Sequence, residues 1–203
     1  MSSDLPLEIV LASASRSRAA ILAGAGLEVL IEPADIDESA VKESGLRTQA
    51  SVDAVAASLA CQKAQKISEV HPNAFVIGAD QMLDCGGSWL DKPDSLAAAR
   101  DTLRLLRGKS HDLVTSVSIV QDGTEIWAVT DRAQLLMRDF SDNFLETYLS
   151  RVGDDVMLSV GAYQLEGLGA QLFERIDGDY FTILGLPLFP LLGFMREQNV
   201  IGQ

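Results

Sequence analysis

The chain has 203 residues, 47% hydrophobic and 22% charged, which is ordinary globular usage and excludes an intrinsically disordered chain. A formal net charge of −13 supplies no broad basic surface, so a nucleic-acid polymer is not an expected partner. No apolar run approaches the roughly 18–20 residues that span a bilayer, and no basic segment precedes the short apolar run near Met1, so the expectation is a cytoplasmic protein without membrane attachment.

In chain order, Leu7 to Ala12 is short, apolar and β-branched and reads as a buried strand. Ser13-Ala14-Ser15-Arg16-Ser17-Arg18 follows, then a helical Ala19 to Ala23 closed by Gly24 and Gly26. Leu27 to Ile31 reads as a second strand, and Pro33 to Glu38 as an acidic loop. From about Thr48 to Val70, Val52, Val55, Ala56, Leu59 and Ile67 recur at helical spacing, until Pro72-Asn73 breaks the helix. Ala74 to Ala79 is another buried strand, followed directly by Asp80. After the Gly86-Gly87 turn and Lys92-Pro93-Asp94, a helix is expected from about Ser95, its N-cap, to Leu106.

Leu113 to Val120 and Ile126 to Met137 flank Asp122-Gly123, a hairpin signature. Ser141 to Leu149 reads as a helix, Gly161 to Gly169 as a glycine-spaced loop, Leu172 to Ile176 as a strand, and Pro187 opens a last helix. With no repeat, linker or low-complexity tract, the expectation is one mixed α/β domain over residues 1–203. The two cysteines, Cys61 and Cys85, match no zinc or redox spacing and read as reduced thiols.

Two familiar nucleotide signatures fail. Gly108-Lys109-Ser110 ends like a P-loop, but the upstream glycine position is Leu103 and a helix precedes it. Gly167-Leu168-Gly169 begins like a dinucleotide fingerprint, but its third glycine position is Leu172.

Four features remain. The Ser13–Arg18 segment enters a helix, where unpaired backbone N–H groups, hydroxyls and arginines suit an anion; by itself it is equally a serine-rich N-cap. Asp80 directly follows a strand, where ligands of open α/β sheets gather. Lys63 interrupts an apolar stripe, four residues from both Leu59 and Ile67, and either snorkels past the core or faces an anion. Asp35, Asp37 and Glu38 form an acidic cluster of the oxygen type that hard divalent cations take, or else a solvated loop.

The order Leu-Ala-Ser-x-Ser-x-x-Arg from Leu11, then Asp37-Glu38, Gly78-Ala79-Asp80-Gln81 and Lys92-Pro93, resembles the Maf (septum-formation) family. The resemblance continues through Gly108-Lys109-Ser110-His111, Thr115-Ser116-Val117, Gly161-Ala162-Tyr163-Gln164-Leu165-Glu166-Gly167-Leu168-Gly169-Ala170 and Gly185-Leu186-Pro187-Leu188. It implies an inosine-triphosphate-pyrophosphatase-like α/β fold, a mixed twisted sheet with flanking helices in two lobes around a deep nucleotide-binding cleft. It also implies hydrolysis of a nucleoside triphosphate to monophosphate and pyrophosphate with Mg²⁺ or Mn²⁺ as cofactor.

Carried over by position, Asp80 is the catalytic carboxylate. Ser13, Arg16, Arg18, Lys63 and Lys92 hold phosphates, and Glu38 with Asp80 binds the metal. The family's commonest first motif is Ser-x-Ser-Pro-Arg-Arg; here Arg16 replaces the proline and Ser17 the first arginine. Ser17, Gln81 and Glu166 occupy the positions that select the base. Gln81 and Glu166 agree with a 7-methyl-GTP branch; Ser17 matches neither that branch, which has tryptophan, nor the dTTP/UTP branch, which has arginine. The expectation is house-cleaning of a modified purine nucleotide, against a dTTP/UTP or broad pyrophosphatase, or a septum-formation regulator acting as a binding module. A homodimer stays open.

Overall fold

The computed structural model describes residues 7–202. The sequence enters on β1 (Ile9–Leu11), α1 (Arg16–Gly24) and β2 (Leu30–Ile31), followed by α2 (Glu38–Thr48), α3 (Val52–Ser68), β3 (Phe75–Cys85) and β4 (Ser88–Leu90). Then come α4 (Leu96–Leu106), β5 (Ser110–Gln121), β6 (Thr124–Met137), α5 (Asp142–Val152), β7 (Phe173–Asp177), α6 (Tyr180–Ile183) and α7 (Leu188–Glu197). Short 3₁₀ turns occupy Gly153–Leu158, Val160–Ala162 and Leu168–Leu172. The strands form a mixed seven-stranded sheet in the order β2-β1-β3-β5-β6-β7, with β4 pairing β3 off that path. The expected α/β class with flanking helices is present.

The chain divides into two compact units: residues 1–80, 115–131 and 185–203, and residues 81–114 with 132–184. In the first, β1 runs parallel to β2 and β3, and Val10, Ala12, Ala64, Ile67, Ala74, Val76 and Val120 form a buried cluster. In the second, β4 pairs antiparallel with β3 and β7 with β6, around a core that includes Leu83, Leu103, Leu113, Leu135, Met137 and Leu145.

Local chemistry explains most boundaries. Ser15, Ser51, Ser95 and Ser141 each cap a helix by accepting from the backbone N–H three residues on, which satisfies one of its orphan donors. Asp122 and Gly123 have φ values of 49° and 75°, the two left-handed residues of a tight hairpin. Pro187 stands at the N-cap of α7, one place before the first helical residue.

Three expectations are corrected. Glu38 is not in a loop: Asp37 accepts from Ala40 N at 2.9 Å and starts α2 at Glu38. That helix buries only Gly45, so it carries no apolar stripe by which its sequence could announce it. The helix read from about Thr48 is two helices, because Gln49 turns left-handed at φ 56° and Ser51 restarts the chain as a cap. Asp80 does not follow β3 but lies inside it. The first half of β3 pairs with β1 as far as Leu11↔Ile77, and the second half pairs with β4 from Leu83↔Leu90. Asp80 therefore sits beyond the carboxyl end of β1, not of its own strand. The four-residue helix α6 carries no sequence signal of its own length.

Candidate active site

The site is built where β1 ends. Ala12 N donates to Ile77 O at 2.8 Å, which holds the start of the next loop against β3. Ser13 follows, 7% exposed, and the chain turns into α1. Arg18, at the third position of α1, points back into the protein. Its Nε donates to Gly185 O at 2.8 Å, and its Nη1 donates to Ser13 Oγ at 3.0 Å and to Ala79 O at 2.9 Å. One buried guanidinium thus ties together the loop after β1, the backbone just before Asp80, and the turn before α7. Burial draws Arg18 below its ordinary pKa, opposed by the charges of Asp80 and then Glu38. Gly185 adopts φ +97°, and a Cβ there would come within 3.3 Å of Arg18 Nε, so glycine lets the carbonyl reach the guanidinium.

Lys63 shares the buried face of α3 with Leu59 and Ile67, as its spacing implies. Its Nζ lies 2.7 Å from Asp80 Oδ1 and 2.7 Å from Glu38 Oε1. The lysine is 8% exposed and Asp80 5%, so these two form a buried ion pair, joined on its outer side by Glu38, whose side chain is 45% exposed. Asp80 Oδ2 is buried with no hydrogen-bond partner. A buried carboxylate oxygen left unpaired is costly, and such atoms in native sites call for a ligand, a water or a catalytic role.

Gly78 makes this contact geometrically attainable. A Cβ on Gly78 would lie 2.0 Å from Ala60 O and 2.7 Å from Ala64 N. The strand therefore touches the α3 backbone directly, three residues before Lys63 and at the residue just after it. The sequence carried that signal, because a glycine inside a strand marks close backbone approach.

Of the residues expected at a site, Ser13, Arg18, Glu38, Lys63 and Asp80 are brought together within the first unit. Arg16 is exposed and Ser17 half-buried on the first turn of α1. Asp35 is exposed, and Asp37 serves as a helix cap. Lys92, Gln81 and Glu166 belong to the second unit. Gln81 Nε2 donates to Thr182 O at 3.0 Å and Ile183 O at 3.1 Å, so α6 fixes its amide. Lys92 is exposed between β4 and α4, and Glu166 is exposed in the Gly161–Gly169 loop. Ala79 O and Gly185 O, both acceptors for Arg18, are backbone participants with no residue-type signature.

Among the described residues no three histidines, cysteines, aspartates or glutamates cluster as a ready-made metal site. Likewise, no helix among them is long and apolar enough to cross a membrane. Cys61 and Cys85 are both free thiols.

Curated proteins resemble the chain over nearly its whole length. A nucleoside triphosphate pyrophosphatase of Paramagnetospirillum magneticum is 50% identical over 190 residues, covering 94% of this chain and 98% of its own. One of the same name from Nitrobacter hamburgensis is 47% identical, covering 97% and 96%. A 7-methyl-GTP pyrophosphatase of Brucella abortus is 46% identical, covering 97% and 99%. The Maf-like protein family pattern matches residues 8–198, so it runs through both compact units. By that match and those relatives, the chain belongs to the Maf-like protein family.

Proposed function

We propose that this protein hydrolyses a nucleoside triphosphate to its monophosphate and pyrophosphate. The observation that carries the reading is the buried Asp80 carboxylate, with Oδ1 held by Lys63 and Oδ2 without a partner. Relatives about half identical bear the name of this activity. Water attacks the α-phosphorus, the bond to the bridging oxygen of pyrophosphate breaks, and Asp80 takes the proton that the water loses. Lys63 orients that carboxylate through Oδ1, leaving Oδ2 as the oxygen for the water.

Phosphate oxygens need localised positive charge in a chain whose net charge is −13. Ser13, Arg16, Lys63 and Lys92 supply hydroxyl and cationic donors. Arg18, committed through Nε and Nη1 to protein oxygens, orders Ser13 and the Ala79–Asp80 backbone and adds its charge beneath them.

The donor set fits a hard divalent cation. Glu38 and Asp80 converge on a single lysine, and the second carboxylate oxygen of Asp80 has no hydrogen-bond partner. Mg²⁺ characteristically takes one or two carboxylates and completes its shell with phosphates and water, so no larger protein cage is required. Glu38 and Asp80 would hold it, and when bound it neutralises charge on the triphosphate.

For the base, the reading is a guanine nucleotide, with 7-methyl-GTP the leading candidate and dTTP or UTP the competitor. A carboxylate at Glu166 accepts two hydrogen bonds from a guanine edge, whereas thymine and uracil present one N–H flanked by carbonyls. One relative is named for 7-methyl-GTP, at 46% identity. Ser17 provides no aromatic face for a cationic base, so the selection rests on Glu166 and Gln81.

The test is pyrophosphate release over a nucleotide panel with wild type and Asp80→Asn. The variant keeps the size of the side chain and removes the base, so kcat falls by roughly 10²–10⁴-fold while nucleotide affinity changes little. Wild-type turnover in Asp80→Asn would remove Asp80 from the mechanism. Absence of pyrophosphate release with every triphosphate would remove the activity itself.

A further inference from the structure

The Gly161–Gly169 loop is held from beneath by a buried network that the proposed chemistry does not use. His111, on β5, is 2% exposed, and its Nε2 lies 2.7 Å from Tyr163 Oη. The Tyr163 ring is 4% exposed and meets Phe173 edge-on with centroids 4.8 Å apart, while His111 packs against the same Phe173 at 6.1 Å. The backbone on both sides of Tyr163 is pinned as well. Ser159 Oγ donates to Tyr163 O at 2.5 Å, and Tyr148 Oη donates to Ala162 O at 3.2 Å.

Two glycines let this happen. A Cβ at Gly161, where φ is +78°, would meet the Tyr163 ring at 2.5 Å and Leu83 at 2.7 Å. A Cβ at Gly169 would meet Gln164 O at 2.4 Å, so the end of the loop folds back onto its beginning. Ala162 is left-handed at φ 61°, a conformation that a non-glycine residue keeps only where its surroundings impose it. Glu166 stands exposed on the tip of this braced loop.

His111 pays for its place. Its Nδ1 is buried with no hydrogen-bond partner, and two apolar residues would fill the space without that cost. A polar pair retained against such a penalty, directly under a loop carrying a candidate specificity residue, does more than pack. We infer that His111 and Tyr163 are positioning residues for base selection: their hydrogen bond sets the height and orientation of the Gly161–Gly169 loop, and so where Glu166 meets the base. This rests on the reading of Glu166 as a base contact, and the experiment separates the two.

The measurement is the ratio of kcat/KM for 7-methyl-GTP to that for dTTP, in wild type, Tyr163→Phe, His111→Phe, His111→Gln and Glu166→Gln. A ratio is insensitive to the fraction of protein that is folded, since misfolded enzyme lowers both values equally. Tyr163→Phe removes only Oη and keeps the ring against Phe173. The expected result is a ratio lowered about ten-fold in Tyr163→Phe and in His111→Phe, because sub-ångström misplacement of a contact group is enough for such a loss. His111→Gln, which can still present a side-chain N–H toward Tyr163 Oη, should recover most of it.

An unchanged ratio in Tyr163→Phe and His111→Phe, with Glu166→Gln shifting it, overturns the positioning role and leaves the Glu166 reading standing. A ratio shifted by Tyr163→Phe but not by Glu166→Gln supports the positioning role and removes Glu166 as the contact. Unchanged ratios in all variants, or equal values for the two nucleotides in wild type, overturn both.

Discussion

At the scale of single residues, the two histidines are set against each other by their surroundings. His111 is pushed down to about 4, chiefly by burial and despite the nearby charge of Asp112. His71 is raised, first by its hydrogen bond to Glu32 at 2.7 Å and further by Glu8, with desolvation opposing. The signs follow from proton binding. Between about pH 6.5 and 4 the unfolded chain protonates His111 and the folded chain does not, so this residue's contribution is complete above 6.5 and is lost as pH falls. The loss reaches on the order of 3 kcal/mol at pH 4. His71 acts the other way: its contribution is complete below the unfolded value and disappears as pH rises through its raised folded value. Its solvent access makes that contribution small and salt-sensitive. Denaturant titrations from pH 4 to 8 should show His111→Phe flattening the acid limb, and His71→Gln losing stability only on the acid side. An acid limb unchanged in His111→Phe would mean that other groups set it.

At the scale of elements, the decisive packing is β3 against α3. Gly78 brings strand and helix backbones together, and Lys63 meets Asp80 because of that approach. In Gly78→Ala the new methyl collides with Ala60 O and Ala64 N, which are backbone atoms with no rotamer to yield. The helix must move outward. The expected cost is about 3 kcal/mol, the upper part of the overpacking range, or roughly a 6–12 °C drop in Tm for a chain of this size. Turnover measured well below that Tm should fall further than the folded fraction does, because Lys63 is withdrawn from Asp80. Tm and activity both near wild type would show that the close approach is not needed. The contrast with α2 is instructive: it delivers Glu38 to the same lysine while burying only Gly45. Without a buried apolar stripe it gave no helical period, so Pro33 to Glu38 read only as an acidic loop and the rest of the helix carried no signal.

At the scale of the whole molecule, the net charge of −13 and the anionic substrate act together. The protein's overall field disfavours a polyphosphate, so the proposed reaction calls for local cations and a divalent ion to offset it. Dialysis against a chelator should abolish pyrophosphate release, and added Mg²⁺ or Mn²⁺ should restore it; full activity after exhaustive chelation would leave Glu38 as the partner of Lys63 and nothing more. Much of this was legible in the chain itself. Periodicity and capping residues determined nearly every strand and long helix, and ordered motifs determined the family, because those signals lie within a few residues of one another. Tertiary structure alone decided three things. It put Asp80 inside a strand, since a strand's length depends on which partners pair with each half: β1 pairs only as far as Ile77, and β4 pairs from Leu83 on. It turned Arg18 inward onto the carbonyls of Ala79 and Gly185, oxygens that every residue carries and no sequence pattern marks. It joined Lys63 at once to Glu38 and Asp80, because side chains 25 and 17 positions apart meet only when a sheet and two helices have packed.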